Sequence, residues 1–484
     1  MTSLEISKLM PLIVVLLTPM VVMLYIAVKR NHFITMLLSV LGLLIALALI
    51  PATRLVPVTR IGSLLIIDNY ALFYFSLIFL AAIFILVPSY SYLEKRFGGN
   101  KEEYYLLILT ATLGSAILAA SSHFATFFLG LEILSVSLYA LIAYLRQTNE
   151  GIEAAVKYLI LAAASSAFLV FGMALVYSQT GTMSFSGVTD FLSKAADYNL
   201  ILVAGIAMMV VGFGFKMALV PFHMWSPDVY QGAPAPVSAF IASVSKGGIL
   251  ALLFRFFAQY DIVQSKPLFI IFGGLAVLSM FGGNLLALMQ KNVKRLLAYS
   301  SIAHFGYILT AFIAGNHNAR FTGAGAATFY IVTYFITIIG AFIIVGVLSS
   351  KEREAFARSD YKGMYWRHPW LSVAFSAMLF SLAGIPLTAG FIGKYYVLST
   401  GIGNGLWWLV VIMIINSALG VYYYLRVIVE MFSSADEEKT DLQASVRVGL
   451  MTGIALALLT IALVWLGVYP TGVISAIKTS MLMF

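Results

Sequence analysis

Glu132, Lys157, Lys216, Lys246 and Lys394 each fall inside an apolar run long enough to cross a bilayer. Keeping one ionised side chain near the middle of a membrane costs about 3 kcal/mol even on lenient insertion scales, so such groups face an internal polar path or one another. An ammonium group loses and regains a proton, and a nearby carboxylate biases that exchange through its charge. These five residues therefore suit stepwise proton transfer through an apolar interior. Lys246 carries the most weight, since it lies roughly 16 Å into its run, with Ser238, Ser243 and Ser245 expected to hydrogen-bond it or a water. Lys216, just before Pro221, is expected to reach carbonyls freed by that proline, and Glu132 and Lys157, on consecutive runs with a short connection, are expected to pair.

Each of these residues also has a plainer reading. Lys216 could snorkel to the headgroups, and a Glu132–Lys157 pair could be a static bridge that only fixes packing. His304, inside a later run, and His223, beside Pro221, are candidate relays because imidazole both donates and accepts near neutral pH; each reads equally well as a packed core residue. Arg255 reads as an anchor near one membrane surface. Glu150 and Glu153 read as charges that complement a helix N-terminus capped by Thr148 or Asn149. His32, His123, His317 and His368 read as loop residues.

The elements that must position these groups are set by composition. Of 484 residues, 61% are hydrophobic and 10% charged, and the mean hydropathy is +0.98; so little polar surface cannot clothe a water-soluble globule of this size. The fold class is an all-α polytopic membrane protein, because the runs are apolar on every face where barrel strands would alternate. With no cysteine, the chain supplies no thiolate for an iron–sulfur cluster, so an electron-carrying cofactor has to belong to a partner. The net charge of +9 sits in short loops without an aromatic-interleaved stripe, which argues against nucleic acid. No Walker loop, zinc-type His-Glu-x-x-His pair or nucleophile elbow is found, and no metal site is expected.

Fourteen spans are predicted, near 9–28, 33–50, 70–88, 104–120, 123–145, 152–178, 199–222, 235–257, 266–289, 295–315, 322–349, 370–400, 405–430 and 446–468. Alternate loops carry 17 and 7 of the Lys and Arg residues, which places both termini outside by the positive-inside rule. The segment from Ser349 to His368 is the clearest cytoplasmic marker, and only Ser433 to Ser445 reads as a polar linker. One transmembrane domain over 1–484 is expected: three N-terminal helices over 1–100, one repeat over 104–257, a second over 266–432 and a C-terminal helix over 446–484. Pro221 and Pro386 interrupt apolar spans at matching places, 117 residues after Tyr104 and 120 after Lys266. A proline there removes a helical N–H and orphans a carbonyl, so both helices should break. Five spans per unit make the repeats inverted, and paired broken helices of that kind point to an ion site.

The segments Phe215-Lys-Met-Ala-Leu-Val-Pro-Phe-His223, Asp228-Val-Tyr-Gln-Gly-Ala-Pro234, Lys294-Arg-Leu-Leu-Ala-Tyr-Ser-Ser-Ile-Ala-His304 and Leu382-Ala-Gly-Ile-Pro-Leu-Thr-Ala-Gly-Phe-Ile-Gly-Lys394 resemble the antiporter-like proton-translocating subunits of respiratory complex I, NADH:quinone oxidoreductase. The resemblance covers nearly the whole chain, and the segment from Asp228 to Pro234 is similar to subunit N. It implies that Glu132 and Lys216 form the input pair with Lys157 beside them, that Lys246 is the central relay and that Lys394, the counterpart in the second repeat, discharges protons outward. It also implies that FMN, iron–sulfur clusters, NADH and quinone reside in partner subunits and none in this chain. Neighbouring complex I membrane subunits, the bilayer and a bacterial inner-membrane location are implied as well. The rival readings are a subunit of a multi-subunit sodium/proton antiporter of the same fold and a non-pumping structural membrane subunit.

Overall fold

No water satisfies a backbone N–H or C=O inside hydrocarbon, so each crossing segment forms its hydrogen bonds within itself and the apolar runs fold as helices. The computed structural model describes residues 3–57, 59–146, 149–194, 199–258, 260, 262–263, 265–315, 322–434 and 448–481. Thr148, His317 and most of the 433–445 linker lie outside the described residues. The first half runs α1 Ser3–Val28, α2 His32–Leu55, β1 Thr59–Ile61, β2 Leu65–Ile67, α3 Asn69–Arg96, α4 Glu103–Ala120, α5 Phe124–Ile142, α6 Asn149–Thr180, α7 Phe185–Lys194, α8 Leu200–Met217, α9 Trp225–Gly232, α10 Ala235–Phe240 and α11 Lys246–Phe256. The second runs α12 Lys266–Leu288, α13 Val293–Ala314, α14 Gly323–Leu348, α15 Met364–Arg367, α16 Pro369–Ala383, α17 Ala389–Gly403, α18 Trp407–Phe432, α19 Leu450–Val468 and α20 Thr471–Met481.

Every predicted span contains a helix. Thirteen described helical stretches are long and apolar enough to cross a membrane, and α16 with α17 makes the remaining crossing as two shorter pieces. Five elements were not anticipated: the antiparallel β1–β2 hairpin and the short helices α7, α9, α15 and α20. The hairpin and α7 sit with the 121–123 turn on one face, since Leu65 bridges Ser121 and His123 bridges Ser184. On the opposite face Asn292 bridges Ala357, Gly363 N–H donates to Glu430 O and Arg30 pairs with Glu103 at 2.7 Å. Loops thus alternate between two faces as the charge count requires; the face bearing the arginine-rich 349–368 segment is called inner and the hairpin face outer. The stretch Ala235–Phe256 is buried but for Pro236 and α13 but for Arg295, whereas α1, α2, α18 and α19 expose broad apolar sides.

The two expected breaks are present and alike. α8 ends at Met217, Ala218 turns left-handed (φ 58°), and the Ala218 and Leu219 N–H groups donate back to Phe215 O at 2.9 Å and Gly214 O at 2.8 Å. α16 ends at Ala383, Gly384 turns left-handed (φ 82°), and the Gly384 and Ile385 N–H groups both donate to Phe380 O, at 2.9 and 3.0 Å. Each helix therefore stops three or four residues before its proline, where the ring would strike the preceding turn. Proline alone does not dictate a break: Pro11, Pro19, Pro51 and Pro88 lie within continuous helices. A third irregularity, not predicted, is a π turn over Ile241–Ser245 that joins α10 to α11.

A buried ion cluster ties the inner ends together. Glu354 accepts hydrogen bonds from Lys294, Tyr92 and the Ala235 N–H, the last at 2.9 Å. Lys294 also donates to Gln231 O at 3.0 Å and Ala233 O at 2.6 Å, and Arg96 donates to Ser350 O at 2.7 Å. Those contacts fix the α9–α10 junction against α3 and α13. Burial disfavours the ionised Glu354, yet the charges of Lys294 and Arg96 prevail and hold its carboxyl below the usual carboxylate value. A depressed carboxyl gives stability that is full above its unfolded value, near 4.5, and that fades as pH falls through the folded value. Glu354→Gln should cost about 3 kcal/mol at neutral pH, because it strands Lys294, and the penalty should shrink on acidification below pH 4.5. Thermal melts of the purified assembly across pH would show both effects, and a penalty independent of pH would refute the assignment.

Candidate proton pathway

Axial position decides which of the charged residues meet. Glu132 accepts a hydrogen bond from Ser166 at 2.7 Å, while Lys157 pairs with Glu153 at 2.7 Å and with Asp228 at 2.9 Å. The expected Glu132–Lys157 pair is not formed. α6 has 32 residues, longer than a hydrocarbon core needs, and Lys157 lies nine residues, about 14 Å, toward the inner face from Ser166. Its side chain is 45% exposed, so it belongs to an inner-surface cluster in which Asp228 also binds Arg295 at 2.6 Å. Glu153 is correspondingly an ion-pair partner as well as an N-terminal charge. Glu132 acts through its charge on Lys216.

Lys216 is buried and donates to Ser135 Oγ on α5 at 2.7 Å. It was expected to use the open carbonyls at its own helix break, but its ammonium turns to α5 instead; of those carbonyls Gly214 O and Phe215 O accept backbone N–H groups, and Phe215 O also the Trp225 indole at 2.9 Å. The expected geometry is found at the other break, on a lysine placed after it. Lys394 on α17 reaches back to Ala383 O at 2.8 Å, the last carbonyl of α16, and donates to Ser417 Oγ at 2.9 Å. Gly384 leaves room for this reach, since a Cβ there would stand 2.7 Å from Lys394 Cδ. Lys216 and Lys394 thus sit on opposite sides of their breaks and are not strict positional counterparts.

Lys246, wholly buried at the start of α11, donates to Ser301 Oγ of α13 at 2.7 Å. Two of the three serines expected around it bond backbone carbonyls instead: Ser238 bonds Tyr230 O at 2.9 Å and Ser243 bonds Ala239 O at 2.6 Å. One turn along α13 from Ser301, His304 bonds Tyr330 OH through Nδ1 at 2.6 Å and Tyr424 OH through Nε2 at 3.2 Å. Tyr424 in turn bonds Ser300, and Tyr307, a further turn along, lies with its ring centroid 5.4 Å from Lys394 Nζ. Both Lys246 and Lys394 act on His304 through their charge. One face of α13 therefore carries Ser300, Ser301, His304 and Tyr307 between the two lysines. His304 stands between them; His223 is buried in the turn after the α8 break, its ring nitrogens without a hydrogen bond of regular geometry.

Sequence reasoning missed Ser135, Ser166, Ser301, Ser417, Tyr330 and Tyr424 as partners. A signal existed for the α13 set, since polar residues at positions 300, 301, 304 and 307 of an apolar span share one helical face. It also missed that His32 is enclosed, between Glu94 at 2.5 Å and Tyr105 at 2.8 Å, and that Lys8 is buried. Arg255 is not a surface anchor: it forms a buried two-pronged pair with Asp68 at 2.8 and 2.9 Å.

Residues 121–420 match the family described as NADH:quinone oxidoreductase/Mrp antiporter, TM. The chain belongs to this family. A chain of respiratory complex I from Thermus thermophilus with bound aureothin is 32% identical, with a TM-score of 0.82 over 96% of this chain and 99% of that one. A chain of the membrane-bound sulfane sulfur reductase, an archaeal respiratory membrane complex, is 24% identical with a TM-score of 0.83 over 99% and 96%. One from the Mrp complex of a Dietzia species is 19% identical with a TM-score of 0.85 over 99% and 97%. The last two share the antiporter-like fold, and the Thermus chain shares sequence as well.

Two outcomes follow from this geometry. Lys157→Ala should leave proton transport within about twofold of the unaltered protein, because exposed ion pairs contribute under about 1 kcal/mol; pumping assays in membrane vesicles check it against Lys216→Ala. Gly384→Ala adds a Cβ at a left-handed position and pushes Lys394 off Ala383 O, so transport should fall several-fold while the assembly persists on native gels.

Proposed function

We propose that this chain is a proton-translocating membrane-arm subunit of an NADH:quinone oxidoreductase, the one corresponding to subunit N. Protons enter near Glu132 and Lys216, pass to Lys246 and are handed by way of Ser301 and His304 to Lys394, which releases them toward the outer face. The chain performs no redox step. NADH, FMN, iron–sulfur clusters and quinone belong to partner subunits, and quinone reduction there drives proton transfer here by changing the charge along a row of membrane subunits. The location is the bacterial inner membrane, with both termini outside.

The observation that carries this reading is that Lys216, Lys246 and Lys394 are buried and each donates to neutral groups: Ser135, Ser301, and Ala383 O with Ser417. A structural role would favour carboxylate partners, as at Lys294, because an unpaired buried charge is costly. A neutral acceptor holds an ammonium in place without an opposing charge that would keep the proton there. Asp228, in the segment similar to subunit N, pairs with Lys157 and Arg295 and so positions α9 beside the α8 break. The alternative, a sodium/proton antiporter subunit, is supported by the family, whose description names both, and by the fold shared with the Mrp chain; the 32% identity is to the complex I chain.

Lys246→Ala should reduce proton pumping at least about tenfold in a complex that still assembles and still oxidises NADH with an artificial acceptor. Pumping at the unaltered level would leave only the structural reading. Copurification of flavin and iron–sulfur subunits with the tagged chain supports the oxidoreductase; copurification of small membrane subunits alone would favour the antiporter.

A further inference from the structure

The proposed relay uses neither Asp68 nor Arg255, although both are buried, and the two form the floor of a large outer cavity. That cavity, of about 470 Å³, is lined by Arg60, Asp68, Ser122, Ser184, Thr189 and Arg255 among others. The Arg255 guanidinium clasps Asp68 and donates to Ala119 O at 3.0 Å. It also lies 4.9 Å from the ring centroid of Tyr70. Behind the ion pair, hydroxyls continue inward. Tyr70 OH donates to Ala251 O at 2.9 Å, Tyr74 is within hydrogen-bonding reach of Tyr70, their ring centroids are 4.8 Å apart, and Tyr74 OH meets Thr328 Oγ1 at 3.0 Å.

Three helices agree on how deep this chain reaches. Tyr74 lies six residues past the Asp68 cap of α3, Thr328 five past the first residue of α14, and Ala251 five before the last residue of α11, each about 8–9 Å below the outer end at 1.5 Å per residue. Lys246 is one and a half turns deeper on α11, and Tyr330, bonded to His304, is two residues beyond Thr328 on α14. The tyrosines and the threonine are all buried in a region where an apolar side chain would pack at no desolvation cost.

We propose that the cavity floored by Asp68 and Arg255 is a second outward proton-release vestibule, beside the release from Lys394, fed from the level of Lys246 and Tyr330 by Tyr70, Tyr74 and Thr328. This rests on the proton-translocation reading above. Each hydroxyl accepts one proton as it gives up another, so the chain is restored once it reorients and no group is consumed. The Asp68–Arg255 pair stays ionised and acts as a positioning pair that keeps Tyr70 at the cavity floor and draws the departing proton to the outer water.

The test uses the assembled complex in sealed vesicles. A Tyr74→Phe, Thr328→Val double variant removes two hydroxyls and keeps the shapes, and the readout is protons pumped per NADH oxidised, with assembly verified on native gels. Separately, Ser122→Cys gives this cysteine-free chain one thiol at the cavity wall, to be modified after assembly by a bulky, membrane-impermeant methanethiosulfonate. The expected result is a fall in the ratio by about half for the double variant, short of that of Lys246→Ala because Lys394 still discharges, and a similar fall when Ser122→Cys is modified from the outer side only. An unchanged ratio in the double variant, or a thiol that reacts without effect, overturns the vestibule if Lys246→Ala still abolishes pumping. Should Lys246→Ala itself pump normally, the failure belongs to the underlying reading.

Discussion

A cation buried in hydrocarbon must be met by something, and the kind of partner decides what it can do. This protein uses two kinds. Lys294 and Arg255 are answered by carboxylates, Glu354 and Asp68, and these pairs lie at the inner and outer ends of helices, where they clamp α3, α11 and α13. Lys216, Lys246 and Lys394 are answered by hydroxyls and one carbonyl. A carboxylate holds an ammonium charged; a hydroxyl orients it and leaves its proton free to move. The clamps and the relay are built from the same residue types, separated by their partners.

The helices follow from that division of labour. The breaks after Met217 and Ala383 cost backbone hydrogen bonds, and left-handed residues at positions 218 and 384 let two N–H groups at each bond back to the helix end. What remains unrecovered is useful in one case, because Ala383 O becomes the acceptor for Lys394. At the first break Gly214 O and Phe215 O are filled, and Lys216 turns to α5 and comes under the influence of Glu132. α13 sits at the centre, buried but for Arg295, and its polar face is the bridge between the two halves.

Much of this was legible from the residue order. Long apolar runs gave the helices because a span needs about twenty residues, and Pro221 and Pro386 gave the breaks because proline excludes the helical N–H. Intramembrane lysines gave the site because charge is rare at that depth. Partners were not legible. Depth along a helix can be counted, but axial offset between neighbours cannot, which is why Lys157 was set beside Glu132 when the length of α6 carries it to the inner surface. Rotation is equally hidden: Ser238 and Ser243 are close to Lys246 in sequence yet bond their own backbone. β1 and β2 have three residues each, too few for a period, and α7 carries one in Phe185, Val188 and Leu192 but at ten residues falls short of a span.

The π turn over Ile241–Ser245 lies immediately before Lys246. Such a turn holds one residue more than its α-helical equivalent, and one residue is worth about 100° of rotation. The ammonium therefore owes its bearing to a surplus residue upstream: were the bulge ironed out by a single deletion, the same lysine, unchanged in identity and nearly in height, would swing by more than a quarter turn away from Ser301. The length of that short stretch is as much a determinant of transport as the charge it aims.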